Sequence, residues 1–343
     1  MRSIILDTEK RKLVEIDTKK PEKKDEELIV RIVAVSSNNI DFNDLYHSKT
    51  NNFRNYLRPG WDAVGVVESK GTKTDRFEVG DFVWYAGTIY RPGCYSELQA
   101  VHHSLAGHLP MKMGPKSAAA LPLTIISAYT IMSYMKNIIN NKFRKQNNIL
   151  ILGGDSYIGH CLIQLIKNSI ELDIFILATC NTSRNALWIQ NLGLCQTVSK
   201  DVTDLKYITS SLLNEDIVID LRNKENPLNE RILFSNMRFN DIFLIEADHP
   251  GSEIKIIKMY RNNSGLESVV LKKITPLAYD FLKSSGITAG EILNYTSKLI
   301  DSSMFFSTIS VDGGILSAAN LNNLKEKDLI SSKKFVFSAF DHH

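Results

Sequence analysis

Cysteine is scarce in this chain and nowhere paired. Four cysteines stand at 94, 161, 180 and 195, none at C-x-x-C spacing. No disulfide framework or zinc ribbon is readable from that pattern, and free thiols in a reducing compartment are expected. Long apolar runs are missing too: no segment approaches the roughly 20 residues of a membrane-spanning helix. The opening residues, MRSIILDTEKRK, hold no apolar stretch of the length that a signal peptide needs. Charge of one sign is also lacking. The formal net charge is +3 over 343 residues, which supports no polyanionic partner such as nucleic acid. The charged run KKPEKKDEE (19 to 27) mixes both signs and reads as a solvated loop. These absences lead us to expect a soluble, cytoplasmic protein with neither membrane nor nucleic-acid partner.

What is present is a change of texture along the chain. The length favours two domains. The first hundred residues read as β-rich, with strands expected at EELIVRIVAVSS (26 to 37), DAVGVVESKG (62 to 71), VGDFVWYAG (79 to 87) and CYSELQAV (94 to 101). Gly65 inside the second strand suggests a bulge or a close backbone approach. From residue 117 the spacing becomes helical, and Pro122 should start or kink that helix. Strands then alternate with short helices: NILIL (148 to 152), DIFILAT (173 to 179), EDIVID (215 to 220) and DIFLIEA (241 to 247). That alternation predicts βαβ units and a parallel sheet. After about residue 265 the elements are mixed again, which suggests that the tail rejoins the β-rich first part.

The first of the βαβ turns carries a candidate ligand site. A glycine turn between a strand and a helix offers backbone N–H groups, and the helix N-terminus favours anions. Aligned to G-x-G-x-x-G, Gly154 and Gly159 fill the outer positions and Ser156 the middle one. A tight turn without a ligand would look similar. At the end of the next strand, LATCNTSRN offers Asn181, Ser183 and Arg184 but no carboxylate. An adenosine 2′-phosphate would be attracted there, with Arg184 as its cation, although Ser183 could equally cap the following helix.

Several stretches together resemble one family: RPGWDAVGVVESKG (58 to 71), GDFVWYAGTIYRPGCYSELQAVHHSLAGHLP (80 to 110), AAALPLTIISAYTIM (118 to 132) and ILILGGDSYIG (149 to 159). They are similar to the zinc-independent medium-chain dehydrogenases/reductases, within them to the quinone oxidoreductase-like group labelled "zinc-type alcohol dehydrogenase-like". The resemblance implies an α/β protein with a GroES-like β-rich catalytic domain and a Rossmann doubly wound parallel sheet domain. The expected divisions are 1–125 and 266–343 for the catalytic domain and 126–265 for the Rossmann domain. It further implies NADP(H), a homodimer, and hydride transfer to a quinone or an α,β-unsaturated carbonyl. Zinc is not expected, because Asn38 stands where the zinc enzymes place a cysteine, and Trp61-Asp62 where they place His-Glu.

By the same resemblance, SSNNID (36 to 41) corresponds to a family motif beside the nicotinamide. Asn38 and Tyr46 become catalytic candidates. Asp41, Thr124, Lys334 and the turn Gly153, Gly154, Ser156, Tyr157, Ile158 and Gly159 become cofactor-binding candidates, together with Asn181, Ser183 and Arg184. The chain also departs from the family pattern. Ser156 and Tyr157 replace the central glycines of the turn, Asp155 places a carboxylate where an anion should bind, Asn240 replaces a turn glycine, and Lys333 another. A Tyr157 forced to positive φ would carry roughly 1–2 kcal/mol of strain. Two readings stay open: a working NADPH-dependent reductase, or a catalytically silent member that acts as an NADPH sensor, binding or structural protein.

Overall fold

Alternating and continuous Val and Ile residues form β3 (Glu27–Ser36), the strand around which the first of two units is built. The computed structural model describes residues 1–7, 9–46, 58–140, 147–169, 174–191, 196–199, 217–222, 241–248, 250–262, 265–276, 286–307, 310–324 and 334–340. The chain divides into residues 1–126 with 276–343, and residues 127–275.

The first unit opens with the antiparallel pair β1 (Arg2–Asp7) and β2 (Lys12–Asp17). After β3 come α1 (Asn39–Tyr46), β4 (Asp62–Lys70), β5 (Phe82–Ala86), β6 (Leu98–His102) and β7 (Ala106–His108). The short helix α2 (Pro115–Ala119) precedes α3 (Pro122–Asn140), which begins at its proline in this unit and continues into residues of the second. A proline is tolerated there because the first helical N–H has no intrahelical acceptor. The C-terminal part of the chain adds α6 (Ala289–Asp301), β15 (Val311–Ile315), α7 (Ala318–Asn322) and β16 (Phe335–Ser338).

One sheet runs β15-β16-β3-β4-β5-β7, with β6 also paired to β3. The tail therefore does rejoin the β-rich first part, through β16 on β3. Its core includes Val30, Ile32, Ala63, Val83, Tyr85 and Phe337, all essentially buried. Gly65 lies opposite Ile32 next to a register shift, and a Cβ there would stand 2.4 Å from the Arg31 carbonyl oxygen. One expected strand is shorter than its sequence suggests. Pairing with β3 starts at Leu98 rather than 94, because the preceding residues turn to β1: the Ile4 N–H donates to the Tyr95 carbonyl at 2.8 Å.

The second unit contains β8 (Asn147–Leu152), α4 (Tyr157–Ser169), β9 (Ile174–Cys180), α5 (Ser183–Asn191), β10 (Gln196–Ser199), β11 (Ile217–Asp220), β12 (Asp241–Glu246), β13 (Ile254–Asn262) and β14 (Gly265–Ile274). Their order is β10-β9-β8-β11-β12-β13-β14. The first five are parallel, as expected from the βαβ alternation. Ile149, Leu150, Ile151, Ile217, Val218 and Ile219 are almost wholly buried, which is the pattern of strands covered on both faces. The sequence does not announce the antiparallel hairpin β13–β14, which extends the sheet and carries this unit beyond residue 265. The chain turns from one side of the sheet to the other between β8 and β11, and ligands of such sheets bind at that switch, at the carboxyl ends of the strands.

Asn240 and Lys333 lie outside the described residues, as do Cys195 and the side chain of Tyr46, with which α1 ends. Among the described residues no helix is long and apolar enough to cross a membrane.

On α4, His160 is buried and stacks on Trp188 of α5, with ring centroids 4.1 Å apart. Burial holds its imidazole down at about 3, against 6.5 ordinarily. The unfolded chain therefore takes up this proton first. The stability gained by keeping His160 neutral is complete above about pH 6.5 and is lost as the pH falls towards 3. Replacing His160→Leu should reduce the acid-side loss of stability by about 1.4 kcal/mol per pH unit in that window. Urea unfolding midpoints of both proteins at several pH values check this, and parallel pH profiles would contradict it.

Candidate functional site

In the first unit the candidate residues meet on a carboxylate. Asp62 begins β4 opposite Ser36 at the end of β3, and it is fully buried. Its Oδ2 accepts from Ser36 Oγ at 3.0 Å, Asn38 Nδ2 at 3.0 Å and Lys334 Nζ at 2.7 Å. Its Oδ1 accepts from the Leu123 backbone N–H at 2.6 Å. Pro122 has no N–H to offer, so Leu123 carries the first free donor of α3, and a carboxylate there also meets the positive end of the helix dipole. Lys334, just before β16, is buried and donates in addition to Thr124 Oγ1 at 3.0 Å.

The structure thus brings Asn38, Thr124 and Lys334 together through a residue absent from the candidates. A signal was present: an aspartate at the head of the apolar run DAVGVV must be buried with the strand, and a buried charge needs a partner. The Lys334 ammonium is engaged inside the unit by Asp62 and Thr124.

Asn38 occupies the N-cap position of α1. Its backbone N–H donates to Asp41 Oδ2 at 2.6 Å, and the Asp41 N–H returns to the Asn38 carbonyl at 2.9 Å. Asp41 also accepts from the Tyr95 hydroxyl at 2.9 Å. Burial, and after it the Asp41 carboxylate, holds the Tyr95 phenol well above the usual tyrosine range. Asp41 therefore acts on α1 and Tyr95, inside the unit. Cys94 is buried and donates to the Asp62 carbonyl. Burial, reinforced by Asp41 and Asp62, pushes its thiol well up, which suits an inert thiol rather than a nucleophile. Asn38 and the adjoining Ser37 each keep a buried side-chain oxygen without a hydrogen-bond partner among the described residues. The Asn38 amide nitrogen must face Asp62, which leaves Oδ1 as its unpartnered oxygen. A buried acceptor left alone costs about 1–3 kcal/mol, so a donor brought by a bound molecule would be stabilised there.

In the second unit the glycine turn sits at the switch point. Gly153 follows β8 with φ +79°, and its neighbours across the sheet are Leu221 and Arg222, just past β11. The Gly153 N–H donates to Thr179 Oγ1 at 3.0 Å and the Gly154 N–H to the Thr179 carbonyl at 2.8 Å. A Cβ on Gly154 would stand 2.7 Å from that of Ala178, and one on Gly159 would stand 2.6 Å from the Gly153 carbonyl oxygen. Gly159 thus allows the close approach of helix to turn, and Gly154 that of turn to β9. Ser156 takes over the helix end as N-cap of α4, its Oγ accepting from the Gly159 N–H at 3.1 Å. The two non-glycine residues cost little. Among the described residues positive φ outside glycine is confined to Arg11 and Ser303, so Tyr157 is unstrained.

The backbone N–H groups of Asp155 and Ile158 have no hydrogen-bond partner among the described residues. Two free amides at a helix N-terminus, with glycines holding the turn open, fit a pyrophosphate. The turn's own charge is directed elsewhere: the Asp155 carboxylate accepts from the Asn181 N–H at 2.8 Å and from Asn185 Nδ2 at 2.7 Å. Thr182, not Ser183, caps α5, accepting from the Asn185 N–H at 3.1 Å. Ser183 and Arg184 are exposed on the first turn of α5. Sequence reasoning also missed Arg222, which grips Asp220 with two bonds of 2.8 and 2.6 Å beside the glycine turn. The run DLRN after a strand gives no sign of that.

The ion pair of the first unit yields a test. Lys334→Met leaves Asp62 buried without its cation and should cost about 3–5 kcal/mol. Adding Asp62→Asn removes the uncompensated charge, so the double variant should be more stable than Lys334→Met alone. Urea denaturation of the three variants measures the coupling, and simple additivity of the two losses would contradict the pairing.

Residues 24–116 match the alcohol dehydrogenase GroES-like domain. A zinc-type alcohol dehydrogenase-like protein of Staphylococcus aureus is 26% identical over 265 residues, 76% of this chain and 72% of that one. The 2-methylene-furan-3-one reductase of Solanum lycopersicum is 26% identical over 291 residues, 82% of this chain and 63% of that one. Among solved structures, Escherichia coli quinone oxidoreductase complexed with NADPH superposes with a TM-score of 0.63 at 17% identity, covering 99% of this chain and 100% of its own. A GroES-like domain at this position, a Rossmann sheet with its glycine turn at the switch point, and relatives along most of the chain agree. Along most of its length the chain is similar to medium-chain dehydrogenases/reductases, and it shares their fold.

Proposed function

We propose that this protein is a zinc-independent oxidoreductase that uses a nicotinamide dinucleotide to reduce a quinone or an α,β-unsaturated carbonyl. The observation that carries the reading is the glycine turn at the β8/β11 switch, with the Asp155 and Ile158 amides unpartnered among the described residues and the helix α4 behind them. A bound dinucleotide would supply the hydride. The Gly153–Gly159 turn would hold its pyrophosphate, with Tyr157 flanking it. Ser156 keeps its hydroxyl proton free to donate, since its oxygen serves as the acceptor for the helix cap.

Asn38 is proposed to position the bound small molecule through Oδ1, which the hydrogen bond from Nδ2 to Asp62 Oδ2 aims away from the carboxylate. Thr124 and Lys334, assigned to the cofactor by family resemblance, are proposed to act through the Asp62 network that holds Asn38. Tyr46, a few residues after Asn38 in the sequence, is proposed as a proton donor or a stacking group. Zinc independence is supported by the donor set. Asn38 offers an amide oxygen, Trp61 no ligand, and the one carboxylate, Asp62, is paired with an ammonium, whereas a catalytic zinc takes about three thiolate, imidazole or carboxylate ligands.

For the form of the cofactor, exposed Arg184 supports NADP(H), and Asp155 at the same end of β9 opposes a 2′-phosphate. A homodimer and a cytoplasmic location are proposed on the resemblance. The exposed apolar edge of β14, with Val269, Val270 and Leu271, is of the kind that another chain covers.

Oxidation of reduced nicotinamide in the presence of simple quinones and enones tests the reading. Turnover is expected, and Asn38→Ala should lower kcat/KM about tenfold or more through lost positioning. Tight dinucleotide binding with no turnover on any acceptor would favour the silent member of the family instead.

A further inference from the structure

We propose that Asp155 decides which dinucleotide the glycine turn accepts, and that it selects the form without a 2′-phosphate, NAD(H). The inference rests on the dinucleotide reading above and reverses the preference expected from Arg184.

Asp155 sits inside the turn, between Gly154 and Ser156, yet its side chain leaves the phosphate-binding face. Oδ2 accepts from the Asn181 N–H at 2.8 Å and from Asn185 Nδ2 at 2.7 Å, and Oδ1 accepts from Asn181 Nδ2 at 3.2 Å. Asn181 is the first residue after β9, the second strand of the βαβ unit. That end of the second strand is where a dinucleotide-binding sheet recognises the 2′-position of the adenosine ribose, normally with an acidic residue of the strand itself. This chain has no carboxylate in the segment 177–185. Asp155 brings one to the same place from the neighbouring turn.

All three donors that hold it are neutral amides, and among the described residues it has no ion-pair partner. Its negative charge is therefore fixed in position and not cancelled. A carboxylate has about four lone-pair directions, so one remains for a ribose hydroxyl, which would form a charge-assisted hydrogen bond. A 2′-phosphate has no such proton to give near neutral pH and brings charge of the same sign. Arg184 opposes this preference only from an exposed position, with no hydrogen bond among the described residues to orient it. Water and salt screen a cation so placed more than they screen a held carboxylate.

The test is calorimetric titration of the full-length protein with ADP-ribose and with 2′-phospho-ADP-ribose, which reads binding and needs no turnover. The wild-type protein should bind ADP-ribose about tenfold or more tightly, and the ratio should shrink as salt is added. Asp155→Asn should raise the affinity for the phosphorylated ligand about tenfold and bring the two ligands close to parity. Adding Arg184→Ala to that variant should then weaken the phosphorylated ligand selectively. A wild-type preference for the 2′-phosphate, or an unchanged ratio in Asp155→Asn, would overturn the assignment of Asp155 while leaving the dinucleotide reading intact. Failure of both ligands to bind the wild-type protein at millimolar concentration would overturn that reading and this inference with it. Should Asp155→Asn not fold, the wild-type ratio and its salt dependence decide alone.

Discussion

A buried carboxylate is costly unless every one of its oxygens is served, and the first unit is organised around serving Asp62. The hydroxyl of Ser36, the amide of Asn38, the first free N–H of α3 and the ammonium of Lys334 all converge on it. These donors come from the end of β3 and the turn directly after it, the start of α3 and the residue before β16, so one carboxylate ties together three segments far apart in sequence. A buried ion pair of this kind is weak evidence for stability. Its consequence is geometric. The amide of Asn38 can face Asp62 in only one orientation, and the remaining oxygen is left as a buried acceptor at a fixed place.

The second unit solves a related problem by other means. A strand followed directly by a helix needs a turn with one left-handed residue and almost no side-chain volume where helix and strand touch. Gly153 supplies the first, and Gly154 and Gly159 the second. Ser156 and Tyr157 occupy positions with neither demand, which is why the turn survives without a run of glycines. The negative charge of Asp155, which would oppose an anion if it faced the turn, is drawn off by the amides at the end of β9. On the proposed reading, the contact that turns this charge away from a bound pyrophosphate would place it beside the adenosine ribose.

Much of this was legible in the sequence. The strands from Glu27 to Ala86 and the βαβ alternation from Asn147 follow from periodicity, and Gly65 announced a close approach that the register shift of β3 bears out. What was not legible depends on contacts between distant segments. Asp62 looked like a departure from a metal-binding pattern, because nothing local points to Lys334 at the other end of the chain. Asp155 looked like damage to the turn, since its amide partners lie 26 residues and more along the sequence. The β13–β14 hairpin was missed because its exposed outer strand, with Glu267, Lys272 and Lys273, breaks the alternation of a half-buried strand.

On the proposed reading, the altered turn still holds a pyrophosphate with its own backbone. The direct measurement is the backbone amide resonances of Asp155 and Ile158 in the labelled protein as ADP-ribose is added. Both should move far downfield and saturate together, with residues of β14 unmoved. Saturable binding that leaves these two amides unchanged, or no binding at all, would contradict that reading.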